Sequence, residues 1–524
     1  MLEARPSISR ATRFINGLFT GYAALGSSVV YTLTSVPLAL HYLTKEEFGL
    51  WALITQLTGY LMLLEFGMSG SIARFLSNHK DSMDGGEYGS VLVTGCGIFM
   101  LQGLTVAVMG TAFVFLGASL LGIPPHLRSI FAQLGTIQAC VGGLTLMTRA
   151  AASPLWPHQR LDINNLGSIA CQLGSLLTLW LGFLAGWKLY SLSAAGIVGF
   201  IVGVSIAIHA CFRLRLYPSK GHWGRGFDMA LFRKMFSYGS GLFVLNLGTQ
   251  LVSTSQVIVI SRGLGLESAS IWAVATKLSA LVQQFVGRIF ETSASGLVEM
   301  LVREETAQLR RRFHDLFMLT STIAALGAVG LAMFNQPAIG IWTSGKISWP
   351  IINDSLLGVV IFLYCTGKFH VGFASLSKDV HKIKYVCLGE GLLFVATAFP
   401  LSAAYGLTGI LIASIVSSVI INFGFATMIT SRHLGVNYLS VVSWVARPAL
   451  LTGVVMVLYA PFTHGLFSTL ALQTEVAIKM AAYFLLIAPA FLYIGVPAPL
   501  RTEIASYLSR VMLSLSAQLS ARFR

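Results

Sequence analysis

The sequence predicts an all-α integral membrane protein of about fourteen transmembrane helices: two six-helix lobes around a central cavity, plus two C-terminal helices. Three observations predict it. Hydrophobic residues fill 55% of the 524 positions and charged residues only 10%, with a mean hydropathy of +0.75; a soluble domain carries about 25% charged residues. Apolar runs of spanning length follow one another along the whole chain. The chain also repeats itself at an offset near 221 residues.

A crossing needs about 20 apolar residues. Such runs lie near 16–40, 47–67, 88–116, 129–149, 163–186 and 189–212, with the fifth and sixth divided at Trp187–Lys188. A second set lies near 235–260, 268–297, 314–334, 351–375, 383–400 and 407–430, and two more near 441–461 and 476–496. The organisation that follows is an N-terminal lobe over 1–220, a second lobe over 221–432, the added pair over 433–498 and a tail over 499–524. In the tail Ile504, Leu508, Val511, Leu515 and Leu519 recur at helical spacing among basic residues. That pattern suits a helix lying on the inner membrane surface, or a plain cytosolic helix.

Charge tests the count. With the N-terminus inside, the inner segments hold 25 of the 35 Lys and Arg residues, from Arg5, Arg10 and Arg13, through Arg74, Arg149 and Arg310, to Arg501 and Arg524. The outer segments hold Lys45, Arg128, Lys188, Arg262 and Lys346. This alternation places both termini in the cytoplasm. The net charge of +15 lies between apolar runs, so it points to anionic lipid and not to nucleic acid.

The repeat is explicit. Glu46-x4-Trp51-Ala52-Leu53-x-Thr55-x-Leu57 recurs as Glu267-x4-Trp272-Ala273-Val274-x-Thr276-x-Leu278, and Ala152-Ser153-x6-Arg160 recurs as Ala374-Ser375-x6-Lys382. Six spans per copy is an even number, so both copies run the same way through the membrane. Such a parallel repeat can rock one half against the other around a central cavity.

An ionisable residue inside a span is a functional candidate by default, because exposing it to lipid costs several kcal/mol. Span eight places Lys277, Leu281, Gln284, Arg288, Glu291 and Ser295 on one stripe, with Arg288 and Glu291 spaced to pair. Span seven carries Asn246, Thr249, Gln250 and Ser253, span ten carries Lys368 one turn after Tyr364, and span eleven carries Glu390 within reach of Lys382 or Lys384. His370 reads as a packing residue, and Arg447 and Lys479 read as cations that snorkel at span ends. At the repeat offset Lys277, Arg288 and Glu291 meet Gln56, Gly67 and Gly70, which leaves the second copy the more cationic.

Span two ends in LLEFGMSGSIARFLSNHKD, residues 63–81. Nine residues of α-helix turn the chain by about 900°, so Glu65 and Arg74 would lie on opposite faces of an unbroken helix. The segment Gly67–Ser71 is where such a helix would loosen, letting Glu65 face the cavity and Arg74 reach the cytoplasmic rim.

Several chemistries have no motif here. There is no G-x4-G-K-[ST], and Gly367-Lys368 is followed by Phe369, so any transport must run on a gradient or downhill. Cys96, Cys140, Cys171, Cys211, Cys365 and Cys387 lack metal-ligand spacing and read as small buried residues. The run after Arg13 reads as a first span and not as a cleavable signal. No outer loop carries a catalytic set, which argues against an enzyme and, with it, a membrane polymerase or glycosyltransferase.

The stretch Glu65-Phe66-Gly67-Met68-Ser69-x-Ser71-Ile72-Ala73-Arg74-Phe75, with Tyr42-Leu43-x4-Phe48-Gly49-Leu50-Trp51 before it, resembles the second span of bacterial polysaccharide flippases. These flippases belong to the multidrug/oligosaccharidyl-lipid/polysaccharide (MATE-like) superfamily. The resemblance implies a transporter that moves a polyprenyl-pyrophosphate-linked oligosaccharide from the inner to the outer leaflet. Arg288, Lys277 and Lys368 would then meet the pyrophosphate, with Arg74 at the entrance, and Asn246, Gln250 and Gln284 would meet the sugars. Glu65, Glu291 or Glu390 would couple a proton or sodium ion, with no other cofactor, and polymerase and glycosyltransferases would be the partners. A lipid II-type flippase, or a MATE-type drug or cation antiporter, is the alternative. The cationic second copy weighs against the antiporter, since exporters of organic cations favour acidic cavities.

Overall fold

The computed structural model describes residues 10–158, 160–224, 226–376, 380–464, 472–502 and 506. The tail positions Ile504, Leu508, Val511, Leu515 and Leu519 lie outside the described residues, as do Arg5, Arg225 and Lys378.

Helices α1 (Arg10–Tyr42), α2 (Lys45–Leu61), α3 (Met68–His79), α4 (Glu87–Leu120), α5 (Arg128–Ala152), α6 (Leu161–Leu184) and α7 (Tyr190–Arg213) form the first copy. Then come α8 (Met229–Ser253), α9 (Ser255–Ala275), α10 (Lys277–Val302), α11 (Thr306–Trp342), α12 (Ile352–Leu376), α13 (Val380–Tyr405), α14 (Leu407–Ser418) and α15 (Thr427–Leu434). The last are α16 (Tyr438–His464), α17 (Leu472–Ala482) and α18 (Ala488–Gly495).

Among the described residues thirteen segments are long and apolar enough to cross a membrane. One of them, Met229–Val298, runs for 70 residues, about 105 Å of helix against a hydrocarbon core of about 30 Å. It is broken at Gly265, whose φ of 88° and ψ of 170° are non-helical. Two crossings therefore share this segment, and the count becomes the fourteen read from sequence. Gly265 stands at the repeat offset from Thr44, which opens α2 with a capping box: Glu47 N donates to Thr44 Oγ1 at 3.1 Å and Thr44 N to Glu47 Oε2 at 2.8 Å. The two copies thus turn at equivalent positions by different means, a capped helix start in one and a glycine in the other.

The chain packs as two compact units. The first holds residues 1–274, 342–347 and 387–410; the second holds 275–341, 348–386 and 411–524. In the first unit α4 lies along α5, α6 along α7 and α1 along α6. Its core gathers Met68, Ile72, Leu76, Tyr88, Leu92, Phe99 and Met235. Residues 342–347 join it through Trp342 Nε1, which donates to Leu33 O at 2.7 Å. The second unit packs Phe313, Phe317, Phe369 and Phe373 against Val286 and Leu297. Met100, Leu101, Leu104, Val108 and Phe115 are exposed on α4, as a lipid-facing helix requires.

The linker at 214–228 straps α8 onto the first unit. Tyr217 Oη donates to Ala151 O at 2.7 Å, and Asp228 N donates to Thr94 Oγ1 at 3.1 Å. Asp84 Oδ1 accepts from Ser219 N and Ser219 Oγ at 2.8 and 2.9 Å, which holds its carboxyl below the usual range. Asp228 then caps α8, accepting from Ala230 N and Leu231 N.

Helix α8 next touches α3 backbone to backbone. A Cβ on Gly67 would stand 2.5 Å from Gly239 O, and one on Gly239 would stand 2.7 Å from Phe66 O. Ser71 Oγ donates to Met235 O at 2.8 Å one turn away. Farther along, Gly248 meets the Cys387 backbone and Gly391 meets Gly248 O, so α13 approaches α8 equally closely. Gly67 carries a second constraint, a φ of +68°. Replacing it by Ala therefore combines left-handed strain with a backbone collision, a cost of about 2–4 kcal/mol. Gly86→Ala is the control, because Gly86 has φ +84° and nothing within 4 Å, and it should cost about 1 kcal/mol. Thermal unfolding in detergent checks the ranking, and equal losses would contradict it.

Candidate functional site

The break in span two falls at the head of the small-residue segment, at Phe66 and Gly67. A 3-10 turn over Met62–Glu65 ends α2; Phe66 (φ 51°, ψ 33°) and Gly67 are both left-handed, and α3 starts at Met68. Ser69, Gly70 and Ser71 are already helical. Gly70 and Ser71 meet α8, at Leu242 and Met235. The Phe66 ring is thrown against Phe243 and Phe236, with centroids 4.7 and 6.1 Å apart.

The break aims Glu65 at a partner that sequence reasoning missed. Arg149, assigned above to an inner segment, is in the last turn of α5, and its Nη1 donates to Glu65 Oε2. The same nitrogen reaches Ser69 Oγ at 3.3 Å, and Ser69 N donates to Glu65 Oε1 at 3.0 Å. Gln102 Nε2 adds a bond to Glu65 O at 3.0 Å. Glu65 is 16% exposed and Arg149 38%, so the pair is shielded on one side and open on the other. A separation of 84 residues gives no local signal; the one available hint is an arginine closing an apolar run. Arg74 lies over the Tyr238 ring at 4.6 Å.

The other residues singled out in the first unit are on α8 and α13. Asn246 is exposed. Gln250 is engaged within its own helix end: Oε1 accepts from Thr254 Oγ1 at 2.6 Å and Ser253 Oγ at 3.2 Å, which leaves its amide nitrogen for other work. Glu390, beside Gly391, is buried.

In the second unit α10 begins at Lys277, directly after the break at Thr276, and Lys277 is half-buried. Gln284, Arg288 and Glu291 are exposed on the same helix, and Arg288 Nη1 donates to Glu291 Oε2 at 2.9 Å. Ser295 has no described side chain. Lys368 Nζ stands 5.4 Å from the Tyr364 ring centroid. Beside it the π-helical stretch Val419–Ala426 pushes Asn422 against Gly367. Lys384 Nζ lies over the Tyr385 ring at 5.0 Å.

Two residues outside the set behave in different ways. His370 is a packing residue, wedged between Phe313 and Phe317 with Nδ1 3.2 Å from Thr430 Oγ1. Lys479 does not snorkel. It is buried and pairs with Glu475 one turn before it, near an ordered outer-end cluster in which Asp354 accepts from Asn335 Nδ2, Trp349 Nε1 and Gln336 N. Full burial makes snorkelling impossible there, and the acid one turn away makes it unnecessary. Among the cysteines Cys211, Cys365 and Cys387 are buried as expected, whereas Cys140 is exposed on α5.

The arrangement therefore offers a clamped carboxylate–guanidinium pair in one unit and three cations with one exposed acid in the other. Breaking the shielded pair should cost more than breaking the open one. A double-mutant cycle on Glu65→Gln and Arg149→Gln should give a coupling of about 1–3 kcal/mol. The same cycle on Arg288 and Glu291 should give about 0.5 kcal/mol or less. Thermal unfolding reads both, and an equal or reversed ranking would contradict the assignment.

The comparisons with known proteins agree with this architecture. The chain is similar to a multidrug resistance MATE family transporter of the MOP superfamily in an inward-facing conformation, with TM-score 0.67 and 12% identity over 76% of this chain and 94% of that one. It is similar to the lipid II flippase MurJ, inward closed, with TM-score 0.60 and 13% identity over 91% and 99%. A MOP superfamily transporter from Pyrococcus furiosus matches with TM-score 0.57 and 13% identity over 81% and 97%. No curated protein sequence matches the chain at a significant level. The family model for polysaccharide biosynthesis proteins matches residues 16–294, more than half of the sequence. The chain belongs to the polysaccharide biosynthesis protein family, and its fold is similar to that of the MATE transporters and MurJ.

Proposed function

We propose that this protein flips a polyprenyl-pyrophosphate-linked oligosaccharide from the inner to the outer leaflet of a cell inner membrane, by alternating access, for surface polysaccharide synthesis. The observation that carries the reading is the family match over residues 16–294, which takes in the broken second span and the Glu65–Arg149 pair. The chemistry of the second unit supports it. A pyrophosphate is best held by guanidinium forks and ammonium groups, and Arg288, Lys277 and Lys368 are the cations there. Arg74 on Tyr238 would meet the headgroup as it leaves the inner leaflet, and Arg149 would take part when Glu65 releases it. Asn246, Gln284 and the free amide of Gln250 would bond to the sugars, whose hydroxyls both donate and accept.

A gradient drives the cycle in this account. Protonation of Glu65, Glu291 or Glu390, or sodium binding there, would uncouple a carboxylate from its cation and free that cation for phosphate. Both termini are cytoplasmic, and the polymerase and glycosyltransferases that consume and supply the cargo act beside it.

A lipid II-type cargo is the second reading, because the match to the MurJ fold extends over 91% of this chain. Both cargoes carry a pyrophosphate, so the residue roles are common to both. A drug or cation antiporter fits the second unit poorly, since Lys277, Arg288 and Lys368 repel a cation.

Arg288→Ala should lower export of the surface polymer by about 100-fold, the loss of one charge-assisted phosphate contact, with the protein still present in the membrane. Arg288→Lys should retain part of it. Immunoblotting of membranes beside polymer quantification checks this, and normal export by the Ala variant would remove Arg288 from the site.

A further inference from the structure

We propose that a cavity in the second unit, away from the candidate transport residues, binds the phosphate headgroup of an anionic membrane phospholipid. The cavity measures about 440 Å³ and is lined by the N-terminal halves of α11 and α16, the end of α18 and the segment that follows it. His314, Trp444, Arg447, Tyr493 and Arg501 line it, and none of its lining residues comes from α10 or α12.

Four features point to a lipid phosphate. First, two arginines converge on one small volume with no carboxylate on either among the described residues. Concentrating like charge in this way is unfavourable unless an anion joins it. Second, Arg501 Nε is buried and finds no acceptor among the described residues, and a buried charged donor left unbonded costs more than a neutral one. The guanidinium is held by its face, 4.4 Å above the Tyr493 ring, so its edge remains for a ligand. Third, His314 is fixed by Trp444, edge-on at 4.9 Å, and by Asp315 Oδ1 at 3.4 Å, so the acid near the rim is turned to the histidine. Fourth, Trp444 and Tyr493 are the ring types that settle at headgroup depth.

Position makes the headgroup that of a resident lipid. The cavity lies toward the starts of α11 and α16 and the end of α18, on the side of the chain where the sequence collects Arg303, Arg310, Arg311, Arg312 and Arg432. That face is the one in contact with the anionic leaflet. Tyr493 is 70% exposed, which leaves the cavity an open side on the apolar surface, where acyl chains would run. The added helices α16–α18 would thus be anchored by a lipid of stated charge.

The test is native mass spectrometry of the full chain in detergent, titrated with phosphatidylglycerol or with phosphatidylcholine of the same acyl chains. The wild type should retain phosphatidylglycerol in preference. The R447Q/R501Q double variant should lose that preference by about tenfold or more in apparent affinity, and R447K/R501K should keep part of it. Equal retention of the two lipids by the wild type would overturn the proposal. So would an unchanged preference in a double variant whose unfolding temperature without lipid matches the wild type. Displacement of bound phosphatidylglycerol by stoichiometric polyprenyl pyrophosphate would also overturn it, since the cavity would then belong to the cargo.

Discussion

A carboxylate inside a bilayer has to be met by a cation and by hydrogen bonds, and Glu65 is met by Arg149, Ser69 N and Ser69 Oγ through that arginine. The rest of the first unit follows from this constraint. To aim Glu65 at α5 the backbone must leave the α-helix, and it does so through two left-handed residues, Phe66 and Gly67. Leaving the helix exposes peptide groups, which membrane interiors tolerate only against protein. Gln102 takes the Glu65 carbonyl, and α8 covers the rest through Gly239. The linker strap then fixes where α8 begins. A single charge placement thereby sets the path of three helices.

The two copies of the repeat have used the same positions for opposite purposes. At the repeat offset Glu65 corresponds in sequence to Val286, and Val286 is a core residue of its unit. Gly67 and Gly70 face Arg288 and Glu291, which project from a helix that stays continuous where the first copy breaks. The first copy spends this turn on backbone contact; the second spends it on charge.

Much of the architecture was legible in the sequence because hydropathy, charge alternation and a repeat offset are all one-dimensional signals. Fourteen spans and the Arg288–Glu291 pair follow from spacing alone. Arg149 was not legible, because its partner is on another span and its own neighbourhood reads as an interface. Lys479 was misjudged for the same reason: a lysine near a span end snorkels unless tertiary packing buries it, and Glu475 with the Asp354 cluster does so. The break takes in Gly67, within the expected segment, but not Ser69–Ser71, because glycine and serine in a span signal either flexibility or close packing and sequence does not separate the two. Gln250 lost part of its expected freedom to a local bond with Thr254 that any polar helix end can make.

The central claim is directional movement of a lipid-linked sugar. Its most direct test is the leaflet on which lipid-linked oligosaccharide accumulates when the protein is depleted, read in intact spheroplasts with a membrane-impermeant sugar-binding reagent. The account predicts cargo hidden on the inner leaflet, becoming accessible on re-expression of the wild type. Cargo that remains accessible throughout depletion would contradict it.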